Sequence, residues 1–119
     1  MAGDEQSETK KMQPATAVEL AGLVSYSTDS IVSRTLFKNE SGSVTVFSFD
    51  AGQSLSEHTA PYDALVSVLD GQVELVIGGK TVQARAGQIV LMPAHVPHAV
   101  QAKVPFKMML TMLRSPSAE

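Results

Sequence analysis

Gly52-Gln-Ser-Leu-Ser-Glu-His58-Thr-Ala60-Pro-Tyr62-Asp63-Ala64-Leu-Val-Ser-Val-Leu-Asp70-Gly71 and Gly87-Gln-Ile-Val-Leu-Met-Pro93-Ala-His95-Val-Pro97-His98 are the two stretches whose reading decides the fold. Each opens on a glycine, carries a histidine in a fixed frame and holds a short β-rich run. Leu65–Leu69 and Val73–Ile77 flank Asp70-Gly71, and that composition predicts a β-hairpin. Gly78-Gly79 predicts a second turn, into a strand over Lys80–Arg85. Ala86-Gly87 leads into Ile89–Met92, where Pro93 ends the strand because it has no N–H for a ladder.

The β signal continues on both sides. Ile31–Phe37 and Val44–Asp50 are rich in β-branched and aromatic residues and flank the turn composition Asn39-Glu-Ser-Gly42. Val100–Ala102 and Phe106–Leu113 complete the set. About eight or nine short strands at regular turn spacing predict an all-β closed barrel or sandwich. Thr16–Val24 predicts one or two helical turns that lay Val18, Leu20, Leu23 and Val24 on the body, although Gly22 weakens such a helix. The polar stretch 1–13 reads as a mobile tail, 14–30 as an N-terminal segment packed on the barrel, 31–113 as the barrel domain and 114–119 as a C-terminal tail. No internal repeat is visible.

A chain of 119 residues makes one domain. Its 9 Lys+Arg are scattered and its aromatics are few, so neither a basic track nor a base-stacking platform for nucleic acid is expected. With no cysteine, disulfides, thiolate catalysis and Cys-ligated zinc are excluded, and a cytoplasmic protein is expected. No apolar run reaches the length of a membrane helix, and the N-terminus lacks the order of a signal peptide.

Val44-Thr-Val-Phe-Ser-Phe49 is apolar on both faces, with Phe47 and Phe49 opposite Val44 and Val46. One face fills a barrel; the other needs a cover. A second copy of the chain is the expected cover, giving a homodimer through the early strands, with the N-terminal segment as competitor.

Together the two quoted stretches resemble the two motifs of the cupin superfamily, over about residues 31–113. Those motifs run glycine, His-x-His, glutamate, glycine, and then glycine, proline, histidine. The resemblance is strongest to small single-domain, RmlC-like cupins whose first motif reads Ser-Glu-His-Thr-Ala-Pro-x-Asp-Ala. It implies a double-stranded β-helix, the jelly-roll barrel, with a short N-terminal extension. It also implies a central pocket, in which the family's four ligands converge on one metal ion. His58 and His98 stand where two of those ligands do; Ala60 and Ala64 stand where the second histidine and the glutamate do.

Two imidazoles make a weak metal site, since catalytic ions usually have three protein ligands. Asp63 and His95 are the candidates for a third. A divalent metal (Fe, Mn, Zn or Ni) is the cofactor to expect, and with His58 and His98, Asp63 would form a two-His-one-carboxylate set suited to Fe, Mn or Zn. Against this, Asp63 is one residue out of step with the lost glutamate and is expected on the opposite face, facing solvent or capping a turn. His95 lies in a loop, where polar residues are usually solvated. Tyr62 is a candidate acid beside His58, in the manner of the metal-free epimerases of the same superfamily; the plainer reading is a rim tyrosine. The methyl groups of Ala60 and Ala64 leave space for a ligand or for gap-filling methionines such as Met92, Met108 and Met112. Three functions remain open: a metal-dependent pocket for a small molecule, a metal-free binding or sensing barrel, and a metal-free acid–base enzyme.

Overall fold

Side chains on a strand alternate between its two faces, so the pairing of the strands decides what lies inside. The structure is a computed structural model that describes residues 4–8 and 12–115. Its strands are β1 (Asp4–Glu8), β2 (Ser30–Asn39), β3 (Gly42–Phe49), β4 (Ser54–His58), β5 (Tyr62–Asp70), β6 (Gln72–Ile77), β7 (Lys80–Arg85), β8 (Ile89–Met92), β9 (His98–Gln101) and β10 (Phe106–Arg114). They form a six-stranded sheet in the order β1-β2-β3-β10-β5-β8 and a four-stranded sheet in the order β4-β9-β6-β7. All pairings are antiparallel except that of β1 with β2. This is the jelly-roll barrel expected from the sequence.

The inward residues of both sheets meet in one apolar cluster that includes Ile31, Phe49, Val66, Leu75, Val100, Phe106 and Met108. Phe49 and Phe106 are fully buried and stack with ring centroids 4.7 Å apart. Gly78 and Gly79 both have positive φ, and they close the β6–β7 hairpin as a two-residue turn. Asn39 closes the β2–β3 hairpin by accepting the amides of Ser41 and Gly42 on its Oδ1.

Asp70-Gly71 departs from expectation. It joins no hairpin, because β5 pairs with β10 and β8 while β6 pairs with β9 and β7. It is instead the corner at which the chain leaves one sheet for the other. Gly71 has φ 73° there, and a Cβ would stand 2.2 Å from the Pro105 carbonyl oxygen. Strand β4 also lacks a composition signal, since Ser-Leu-Ser-Glu-His carries no β-branched or aromatic residue apart from the imidazole. Thr16–Val24 contains only a single 3-10 turn at Leu20–Gly22. Within the expected tail, Asp4–Glu8 runs parallel to Ser30–Arg34, where an extended backbone satisfies the otherwise free edge of β2. Residues 1–3, 9–11 and 116–119 lie outside the described residues.

The cover for β3 corrects another expectation. Phe47 and Phe49 both point into the barrel, whereas Val44 and Val46 point outward into a second cluster with Leu23, Val24, Leu36 and Met109. The N-terminal segment therefore covers this face. Polar side chains hold it down: Ser48 Oγ donates to the Ser25 carbonyl (2.8 Å), Arg34 to that of Leu23 (3.3 Å) and Lys107 to that of Ala21 (2.6 Å). Tyr26 donates its hydroxyl to Asp70, and burial together with that carboxylate pushes the phenol's pKa well above its usual value. Substituting Phe47 or Phe49 by lysine would thus bury a charge in the barrel, not at a contact between copies.

Val46 is fully buried beneath the segment. Val46→Ala is expected to lower unfolding stability by about 2 kcal/mol, from lost burial plus a cavity. Urea denaturation measures it; a change below a few tenths would mean that the segment is not packed there in solution.

Candidate functional site

One irregularity in β4 builds the site. Leu55 pairs with Val100, and the next registered pair is His58 with His98. Three steps along β4 thus match two along β9, so β4 carries one extra residue, a β-bulge. Without it, His58 would face away from Leu55. The bulge returns it to the inner face, opposite His98. The two rings lie edge to face, with centroids 4.3 Å apart and planes at 67°.

Both rings are held alike. Nδ1 of His58 donates to the Ser56 carbonyl at 2.8 Å, and Nδ1 of His98 to the Val96 carbonyl at 3.2 Å. A carbonyl only accepts, so Nδ1 carries the hydrogen and the neutral ring presents its lone pair at Nε2. His98 is buried, and its pKa is lowered, first by loss of solvation and then by the neighbouring His58, against the Val96 hydrogen bond that raises it. His58 is exposed. The pair is therefore two oriented acceptors, one at the surface and one below it.

The other candidate residues fall elsewhere. Asp63 faces the opposite side of β5 from Ala64, and its Oδ1 accepts the Ala94 amide at 2.9 Å. It braces the loop before β9, one of the two roles open to it on that face. His95 is exposed in a left-handed conformation, φ 67°, with its amide bound to the Ala60 carbonyl at 2.9 Å. Among the described residues no three His, Cys, Asp or Glu come together as a metal-holding group. The donors at this place are two imidazoles, which suit Zn, Ni or Fe better than oxygen-seeking ions but do not make up the family's set of four. Ala64 is buried between Met92 on β8 and Met112 on β10, so methionines border the space a glutamate would enter.

Tyr62 is at the mouth, at the inner-face end of β5. The Arg114 guanidinium lies 5.3 Å from its ring centroid and donates to its hydroxyl at 3.4 Å. No hydrogen bond links Tyr62 to His58 among the described residues. Sequence reasoning missed Thr35, Ser43 and Thr45, which share a cavity with Tyr62. Their signal was present: Ser43 and Thr45 alternate with Val44 and Val46, on the face that Phe47 and Phe49 occupy farther along β3.

A closed two-sheet jelly roll with inward histidines on β4 and β9 defines the class, a cupin-type barrel. The cupin domain family profile matches residues 45–113. The fold overlays a conserved protein of unknown function from Streptococcus pyogenes with TM-score 0.84 and 35% identity, covering 92% of this chain and 96% of that one. A cupin 2 conserved barrel domain protein from Leptotrichia buccalis is 40% identical with TM-score 0.78, over 80% of this chain and 46% of the other. A cupin superfamily protein from Desulfitobacterium hafniense is 25% identical with TM-score 0.82, over 91% and 99% of the two chains. No curated protein matches. The chain belongs to the cupin superfamily.

His98 makes stability depend on pH. Its folded pKa lies below the unfolded value of about 6.5. The unfolded state therefore binds the proton more readily, and the stability from the neutral ring is full above that value and is lost as pH falls through the folded pKa. The melting temperature of the protein is expected to drop over this acid window, and the drop to be smaller in His98→Gln. Equal slopes in both proteins would place the pH dependence elsewhere.

Proposed function

We propose that this cupin binds a small polar molecule at the open end of its barrel, with Nε2 of His58 and His98 accepting hydrogen bonds from it. The anchoring of both Nδ1 atoms on backbone carbonyls carries this reading. An exposed histidine with no partner to meet has no need of a fixed ring, and here two fixed rings offer acceptors at one place. Small ligands are typically held in such sites by a few placed polar groups within apolar walls. The walls here include Ile77, which pairs with His98, and Leu55.

The same two lone pairs favour a second reading, in which a divalent cation (Fe, Mn, Zn or Ni) rests on the histidines and completes its shell from water or the ligand. Held by two protein atoms, it would exchange readily. Tyr62 as an acid for His58 has less support, since its hydroxyl lies beside Arg114. Among the described residues no helix is long and apolar enough to cross a membrane. We place the protein in the cytoplasm, in line with its lack of cysteine.

Saturation-transfer NMR of the untagged protein against a mixture of small polar metabolites tests the reading. His58→Ala and His98→Ala are each expected to weaken the bound compound about tenfold, the worth of one hydrogen bond to a placed acceptor. Binding unchanged in both variants would remove the histidines from the site. Treatment with a chelator is expected to leave binding in place. Loss of binding, with a stoichiometric metal found by mass spectrometry, would favour the cation reading instead.

We also propose that the protein is a two-fold dimer, through a face other than the early strands. β8 is an edge of the larger sheet, and Ile89 and Leu91 on its outer side are 60% and 56% exposed. Leu91 pairs with Leu65, and Leu113 nearby on β10 is 51% exposed. Exposed apolar side chains beside a free strand edge are a usual place for a second copy to join. Leu91→Lys is expected to convert a dimer to a monomer in sedimentation velocity at micromolar concentration, while far-UV circular dichroism is unchanged. A wild-type monomer would overturn the proposal.

A further inference from the structure

The mouth of the barrel contains a second set of polar groups opposite in kind to the histidines. A cavity of about 200 Å³ opens between β2, β3, β5 and β10. Thr35, Lys38, Asn39, Ser43, Thr45 and Tyr62 supply its polar lining, and no Asp or Glu is among its residues. The chain path brings this cavity and the histidine pair to one end of the barrel. β4 ends at His58 and β5 begins at Tyr62, joined by the short link 59–61. Ala64 pairs with Met92 at the end of β8, and the loop 93–97 leads straight to His98. Met112, in the cavity wall, pairs with Ala64 on one side and Ser43 on the other.

The lining presents donors. Thr35 and Thr45 share one hydrogen bond, 3.3 Å between hydroxyl oxygens. Two hydroxyls carry two hydrogens and that bond uses one, so the other remains to be donated. Tyr62 accepts from Arg114, which leaves its own O–H free to donate. Asn39 spends its carbonyl oxygen on the Ser41 and Gly42 amides, so its NH2 group is the part left over. The Lys38 ammonium makes no ion pair among the described residues, and Arg114 adds a second positive charge at the rim. Donors with positive charge and no carboxylate select an oxyanion.

We infer that the ligand of this barrel is a small hydroxy acid, its carboxylate held by Lys38 and the Thr35, Thr45 and Tyr62 hydroxyls, its hydroxyl group donating to Nε2 of His58 or His98. The inference rests on the proposed binding role of the histidine pair and adds the charge and polarity of what they bind. A phosphate group satisfies the same donors, so the experiment separates the two oxyanions.

Protein labelled with 13C at methionine methyls provides a reporter in the cavity wall at Met112, and the imidazole Hε1 signals of His58 and His98 report on the pair. Glycerate, glycerol and inorganic phosphate are titrated separately. Glycerate is expected to move both reporters with one dissociation constant, which Lys38→Met raises about tenfold as a charged hydrogen bond is lost. Lys38 is exposed, so that variant keeps the fold; Thr45→Val, which keeps side-chain shape, is expected to weaken glycerate as well. Phosphate moving Met112 at lower concentration than glycerate would assign the donors to a phosphate ester and overturn the carboxylate assignment. If glycerol moves the imidazoles and neither anion moves Met112, the hydroxy-acid inference falls while the histidine site stands. If no titrant moves the imidazoles, both fall.

Discussion

Two sheets that share one interior can be filled only from alternate positions of every strand, and this parity constraint fixes most of what the molecule is. At one end the constraint is met by large apolar groups, with Phe49 stacked on Phe106 and Ile31, Val68 and Val73 in the same cluster. Moving along the same inner faces toward the other end, β2 passes from Ile31 to Ser33 to Thr35, β3 from Phe49 to Phe47 to Thr45, and β5 from Val68 to Ala64 to Tyr62. The interior thus grades from apolar to polar. Burial of the first end stabilises the barrel; the second is where we propose that a polar ligand sits, since it holds hydroxyls and imidazole nitrogens in place of apolar groups.

Parity also explains why so small a defect matters. One extra residue in β4 between Leu55 and His58 reverses the side that every later residue faces. It puts His58 on His98 and makes the short link to β5 start from the inner face. Asp63 shows the converse. No bulge precedes it within β5, so it stays out of step with Ala64 and serves the loop by holding the Ala94 amide. A carboxylate one position along can replace a lost ligand only where the strand itself slips, and β5 does not slip there.

Much of this was legible in the sequence. Turn residues and apolar periodicity, which are local properties, pointed to the strands and to an all-β barrel or sandwich, while the jelly roll and the pairing of His58 with His98 came from the resemblance of the two glycine-anchored frames to the cupin motifs. Asp70-Gly71 was misleading because a dipeptide records that the chain bends, not whether the following strand returns to the same sheet. Strand β4 was hidden because its pairing with β9, not its composition, makes it a strand. The orientation of Phe47 and Phe49 was undecidable, as both faces of β3 are apolar and only the contacts of Leu23 and Val24 distinguish them. The donor cavity was unread for a different reason. Ser43 and Thr45 alternate with Val44 and Val46 along β3, but no short-range pattern connects them to Thr35 on β2 and Tyr62 on β5.

The two alanines then have a consistent place. In the family pattern, Ala60 and Ala64 would be a histidine and a glutamate gathered on a cation. Here Ala64 lies between two methionines, and the cavity beside Tyr62 is lined by Lys38 with no carboxylate, Arg114 lying over the Tyr62 ring. A resident cation without that carboxylate would rest on two neutral rings alone, fewer protein ligands than catalytic ions usually have. The hydroxy acid inferred above would balance Lys38 and through its own hydroxyl reach the lone pairs that the carbonyl-anchored histidines hold open. On the hydroxy-acid reading inferred above, alanine at the glutamate position and histidine at the two retained positions belong together: donors and positive charge would meet the anion while the two lone pairs accept from its hydroxyl.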